Sequence, residues 1–191
     1  VYLRNGPNPR FEPNGTYHPF DGDGMIHAAH FDRGRVTYRN RWVRTDALAE
    51  EERAGASPFW GIMSTLKGRS DRRLKDTANT DVIAHGGRAV ASWYLAGTPY
   101  LVDPITLETV GQARYTRAPG NGFSAHPKVD EHTGELCYFD YGHEHPYMWY
   151  GVVDAGGTLV HHVPVELPGA RLPHDMAITE HYAILHDLPV F

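Results

Sequence analysis

The chain has 191 residues, 41% hydrophobic and 21% charged, with a formal net charge of -5. This is ordinary globular composition, long enough for one hydrophobic core, and it argues against disorder. The acidic balance, with arginines spread along the chain, argues against nucleic-acid binding through a general basic surface. A single cysteine, Cys137, excludes an internal disulfide framework and zinc sites built from several thiolates, so any metal must rely on histidine or carboxylate. Cys137 sits in the apolar run 136–139 and is expected to be a small buried residue. No apolar run approaches the roughly 20 residues that span a bilayer, and no signal-type h-region lies within 1–191, where the N-terminus is expected to be missing and targeting is therefore unreadable. The chain opens at Val1 and stops at Phe191 on apolar residues, so 1–191 is expected to be a partial domain, truncated at both ends.

In chain order, short runs rich in Val, Ile, Thr and aromatics, separated by turn residues, predict strands. Residues 25–31 lead through Asp32-Arg33-Gly34 into 35–43 as a hairpin. Residues 45–54 break the pattern: Thr45 or Asp46 can cap a short helix, with acids early and Gly55 as its stop. The segment 68–76 has no apolar period and reads as an exposed basic loop. Residues 81–85, 88–94, 99–103 and 107–110 predict one four-stranded antiparallel sheet, joined by turns at Gly86-Gly87 and Pro104. A second set follows at 122–126, 135–141, 147–154 and 158–165, and a third begins at 174–179 and 181–186. Four short strands, a link and four more is the rhythm of a β-propeller, although a plain β-sandwich fits the same pattern.

Thirteen histidines are the excess in this composition. Imidazole is a common ligand for iron, copper and zinc because one ring nitrogen carries a neutral lone pair near pH 7. Local spacing favours His143 and His145, which are two apart and share a side of an extended chain. His161 and His162 point to opposite faces of their strand, and His27 and His30 diverge. His18, His85, His132, His181 and His186 stand alone near turns or strand ends and read as surface or hydrogen-bonded residues. Blade periodicity favours a different pair: His126 and His174 are 48 residues apart, about one four-stranded blade, and would meet where inner strands converge on a propeller axis. Asp21-Gly22-Asp23-Gly24 lacks further acids at calcium-loop spacing and reads as a tight turn.

Six segments, 2–9, 18–25, 78–88, 103–111, 123–128 and 172–180, resemble the carotenoid cleavage oxygenase family in the family's own order and are distributed along nearly the whole chain. The family includes apocarotenoid and lignostilbene oxygenases and the retinal pigment epithelium isomerase. The resemblance implies an all-β fold, a seven-bladed β-propeller of which this chain would be roughly three blades plus a short helix. It implies ferrous iron, Fe(2+), held by four histidines and no carboxylate, with His126 on the first ligand and His174 on the second. The other two would lie beyond Phe191. The implied reaction is O2-dependent scission of a carbon-carbon double bond in a carotenoid, apocarotenoid or stilbene-like substrate into two carbonyl products, with no organic cofactor. By similarity Phe20, Phe59 and Trp60 are expected to contact a hydrophobic conjugated substrate, although core packing is an equal reading for Phe59 and Trp60.

One departure stands out. Family members often carry a glutamate on the strand after the His-x-Gly-Arg turn, where it orients a metal-bound imidazole, whereas this chain has Tyr94 near that position. A phenol can hydrogen-bond an imidazole but supplies no negative charge. The expected partners are the substrate and O2, with no nucleic acid and no protein partner; the expected setting is cytoplasmic, and peripheral membrane contact is left open. Two other classes remain: a hydrolytic metal propeller of lactonase type, which should present Asn, Asp and Glu at inner strand ends, and a non-catalytic propeller scaffold.

Overall fold

The computed structural model describes residues 1–64, 73–95, 97–115 and 122–188. Among them the fold is mostly β, with one α-helix, and the sheets follow one another in chain order without closing into a ring.

The first sheet contains β1 (Tyr2–Pro7), β2 (Gly24–Asp32) and β3 (Arg35–Trp42), antiparallel in that order. The β2–β3 hairpin turns on Arg33 (φ 44) and Gly34 (φ 78), both left-handed, a geometry whose twist matches the flanking strands. Strand β1 is an addition to the expected hairpin. Its Asn5-Gly6-Pro7 end carries no apolar alternation, so only the backbone pairing with β2 reveals it. The Asn5 side-chain amide then ties this sheet to the next, donating to the carbonyls of Ala78 at 2.7 Å and Asp81 at 3.0 Å.

Helix α1 (Asp46–Ala54) begins on Thr45, whose hydroxyl accepts the Leu48 N–H, and ends on Gly55 in the left-handed conformation at φ 71, as its capping residues predict. The expected exposed basic loop is corrected at its described end. Residues 65–72 lie outside the described residues, but Lys75 is buried between Asp23 and Glu51, because two carboxylates in the interior require a cation there.

The second sheet is the expected meander, β4 (Asp81–His85), β5 (Arg88–Ser92), β6 (Tyr100–Val102) and β7 (Thr109–Gln112). In β5, Ala89 and Ala91 face the first sheet, packing with Ile26 and Ala28. Val90 faces the other way, towards Phe123, Leu136 and Tyr138 of the third sheet. The period of two thus serves two cores from one strand.

The third sheet has the order β11-β10-β9-β8, with β8 (Lys128–Val129), β9 (Leu136–Tyr141), β10 (Tyr147–Val153) and β11 (Leu159–Glu166). Its first strand lies later than the predicted 122–126. His126 adopts φ 62, which turns the chain out of extended pairing just before Pro127, and the ladder starts only at Lys128. A final pair, β12 (Met176–Ile178) and β13 (Ala183–Leu185), packs through Met176 and Ile178 on Cys137 and Phe139 of β9. Cys137 is buried as expected.

Candidate metal and substrate site

His126 stands at the end of a firmly anchored segment. Phe123 is fully buried and stacks on Tyr138 with ring centroids 4.8 Å apart. The Ser124 N–H donates to the Phe139 carbonyl at 2.9 Å, its hydroxyl donates to the Tyr94 carbonyl at 3.3 Å, and Ala125 packs on Trp93 and Tyr94. The left-handed backbone of His126 then swings its ring towards β4.

There Nδ1 of His126 lies 3.2 Å from Oδ2 of Asp81, the first residue of β4. The other carboxylate oxygen of Asp81 accepts the Val82 N–H at 2.7 Å, which holds the acid in place. The hydrogen bond that His126 donates to Asp81 raises the His126 pKa, outweighing the burial that would lower it. Burial pushes Asp81 upward, but the hydrogen bonds from His126 and the Val82 N–H together hold it below the usual carboxylate range. A carboxylate on Nδ1 selects the neutral tautomer whose Nε2 carries the lone pair, the arrangement that orients metal-bound histidines.

His174 meets His126 with ring centroids 5.1 Å apart and planes at 35°. Tyr94 stacks against the His174 ring at 6.0 Å and 26°. Phe20 stands edge-on to Tyr94 at 5.6 Å, and His18 edge-on to Phe20 at 4.5 Å. Four of the residues singled out by sequence therefore form one continuous wall: Phe20, Tyr94, His174 and His126. Tyr94 contacts His174 through its ring face, and among the described residues its hydroxyl hydrogen-bonds neither imidazole. Burial, and secondarily Asp21, raises the Tyr94 pKa, so the phenol stays neutral. Its carbonyl accepts the Tyr141 hydroxyl, which ties the wall to β9.

Phe59 is 2% exposed and lies beneath the Arg73 guanidinium, 5.0 Å from its ring centroid. Trp60 forms a bridge to Asn14 and is half-buried. The locally favoured His143 and His145 are both exposed, and Nε2 of His145 is engaged by Glu166 at 2.5 Å. A cavity of about 510 Å3 opens beside the wall, lined by Trp93, Leu95, Tyr141, His143 and Leu172. None of the four wall residues lines that cavity itself, and none lines a larger pocket of about 860 Å3 bounded by Met25, Arg41, Trp42 and Leu107.

No cluster of three or more metal-binding side chains occurs among the described residues. Two converging imidazoles, one already oriented by a carboxylate, nonetheless fit part of a histidine-ligated metal centre. Three participants were missed by sequence reasoning: Asp81, Lys128 and Asp175. Each lies inside a segment that carries the family resemblance, and Asp175 directly follows His174, which is the signal that could have found them.

Antiparallel sheets with paired imidazoles and an aromatic wall define a mostly β frame bearing a histidine-based candidate metal site. The chain belongs to the family described as RPE65, retinal pigment epithelial membrane protein, whose model matches residues 1–191. It is 38% identical to carotenoid 9,10(9',10')-cleavage dioxygenase 1 of Phaseolus vulgaris, covering 99% of this chain and 38% of that protein. It is 36% identical to isoeugenol monooxygenase of Pseudomonas nitroreducens, covering 99% of this chain and 41% of that protein. Among solved structures, lignostilbene dioxygenase of Pseudomonas brassicacearum superposes with a TM-score of 0.83 at 34% identity, over 96% of this chain and 39% of that one. A variant of Synechocystis apocarotenoid oxygenase gives a TM-score of 0.80 at 32% identity, over 96% and 42% of the two chains. The chain thus spans about two-fifths of the length of the relatives it matches.

Proposed function

We propose that this chain is part of a non-haem iron(II) dioxygenase that uses O2 to split a carbon-carbon double bond of a carotenoid, apocarotenoid or stilbene-like substrate into two carbonyl products. Its sheets would be roughly three blades of a seven-bladed β-propeller. The observation that carries the reading is the convergence of His126 and His174 in one aromatic wall, with Asp81 on His126 Nδ1. The relatives' names, which include carotenoid and lignostilbene dioxygenases, support the substrate class.

His126 and His174 would hold the iron, with further ligands supplied from outside the described residues. When bound, ferrous iron supplies the redox chemistry by which O2 is activated. Asp81 keeps His126 in the tautomer that presents Nε2. Tyr94 and Phe20 offer ring faces and edges to a flat conjugated chain, and Tyr94 fixes the plane of the His174 ring by stacking. Trp93, Leu95 and Leu172 make the adjoining cavity largely apolar, which suits an extended hydrocarbon. Trp60 completes the proposed substrate-contacting set, whereas the burial of Phe59 beneath Arg73 supports the core-packing reading for that residue.

Metal analysis of the full protein tests this reading. About one iron per chain is expected, and His126→Ala should lose both iron and alkene cleavage. Calcium instead of iron would favour a hydrolytic propeller, no metal would favour a scaffold, and full iron and turnover in His126→Ala would overturn the ligand assignment.

A further inference from the structure

Lys128 lies two residues past His126, at the start of β8. Its ammonium donates to the His126 carbonyl oxygen at 2.9 Å and to Oδ1 of Asp175 at 2.6 Å. Asp175 directly follows His174, and the same Oδ1 accepts the Met176 N–H at 2.7 Å, which orients the carboxylate at the head of β12. One side chain therefore grips both histidine-bearing turns.

Backbone pairing does not connect those turns. His126 precedes β8, which pairs with β9, whereas His174 precedes β12, which pairs with β13; among the described residues no strand ladder joins the two sheets. Between them runs apolar packing of Met176 on Cys137 and Phe139, which is attractive but weakly directional. The spacing of the two imidazoles is sensitive to small offsets, since ligand rings must point at one metal ion. His126 needs particular restraint, because its left-handed backbone is sparsely populated by non-glycine residues and is restricted further by the following proline. A bond to its carbonyl fixes the peptide that aims the ring.

We propose that Lys128 is a positioning residue, a clasp from the His126 carbonyl to Asp175 that sets the distance and angle between the two imidazoles. This rests on the metal-site reading. The clasp is not a large source of stability: the Lys128 and Asp175 side chains retain 33% and 52% of their exposure, and such pairs contribute little to folding. Position is what it controls. Asp81 acts on the same imidazole from the other side, on Nδ1, so His126 is held at both its ring and its peptide.

The test compares the full protein with its Lys128→Met, Lys128→Arg and Asp175→Asn variants. Each is loaded anaerobically with ferrous iron. The rate of iron release to a ferrous chelator, the absorption spectrum of the cobalt(II)-substituted form and the melting temperature are then measured. Lys128→Met should release iron about 10- to 100-fold faster and shift the cobalt bands, at a melting temperature close to wild type. Lys128→Arg, which can still bridge a carbonyl and a carboxylate, should return the rate towards wild type, and Asp175→Asn should fall between. Wild-type release and an unchanged cobalt spectrum in Lys128→Met overturn the clasp. If Lys128→Met does not fold, the same wild-type result in Asp175→Asn overturns it. A wild-type protein that takes up no iron overturns the metal-site reading together with the clasp, whereas an iron-loaded wild type with an indifferent Lys128→Met overturns the clasp alone.

Discussion

A buried ion triad anchors the turn that follows Phe20. Lys75 Nζ sits 2.7 Å from Asp23 Oδ1 and 2.5 Å from Glu51 Oε2, with side-chain exposures of 4%, 1% and 0%. It joins the turn that follows Phe20, helix α1 and the segment entering β4. The same turn is bound from below by Asn79, whose amide donates to the Phe20 and Gly22 carbonyls at 2.8 and 2.7 Å. Phe20 itself remains 51% exposed, so its ring is presented to the site by a rigid base. Lys75→Met would leave two carboxylates in the interior without a cation. A loss of about 3–5 kcal/mol is expected from urea unfolding of the full protein; a loss below about 1 kcal/mol would mean that the triad does not hold these segments together. The triad was invisible in the sequence, where Lys75 reads as part of a solvated basic loop. Charge runs reveal sign and spacing but not burial, and only the approach of Asp23 and Glu51 from distant segments gives Lys75 a reason to be inside. Asp81 has the same character: it opens a predicted strand, and nothing local indicates that an imidazole 45 residues later will turn towards it.

At the scale of elements, legibility follows how local the cause is. Helix α1 was readable to its caps because Thr45 and Gly55 act within one turn of its ends. The hairpins were readable because Arg33-Gly34 and Gly86-Gly87 adopt the left-handed angles that tight turns require. The start of the third sheet was not, since the departure at His126 is imposed by Asp81, Lys128 and the anchored Phe123 and not by its own propensity. Strand β10 carries a further dependence of this kind. Gly151 pairs with Tyr138 on β9, and a Cβ at that position would come within 2.3 Å of the Tyr138 ring. Tyr138 is fully buried and its hydroxyl donates to the Tyr115 carbonyl at 3.2 Å, so the ring has no room to retreat. Gly151→Ala should cost about 1–3 kcal/mol through overpacking. Restoring space with Tyr138→Phe should recover little, because the colliding atoms belong to the ring and its hydroxyl together. Thermal unfolding of the two variants and their combination checks this, and an unaffected Gly151→Ala protein would contradict the close approach.

For the whole molecule, the order of the sheets and their two-sided cores leaves the outer end of the first sheet uncovered among the described residues. Phe31, Val36 and Tyr38 at the β2–β3 hairpin are 67%, 60% and 60% exposed. With such a surface and two imidazoles at the candidate site, the 191-residue chain expressed alone should self-associate and hold less than one iron per chain, by sedimentation and metal analysis. A monomeric chain with tight, stoichiometric iron would contradict this. The sequence by itself determined the strand rhythm, the helix with its caps and the two histidines worth following, because period, turn chemistry and family-like segments are local properties of the chain. Only the tertiary structure decided that these two rings converge, that Tyr94 stacks instead of hydrogen-bonding, and that Asp81, Lys128 and Asp175 steer the site. These depend on contacts between segments tens of residues apart, and the burial and direction of a side chain are set by what packs against it, not by its neighbours in sequence.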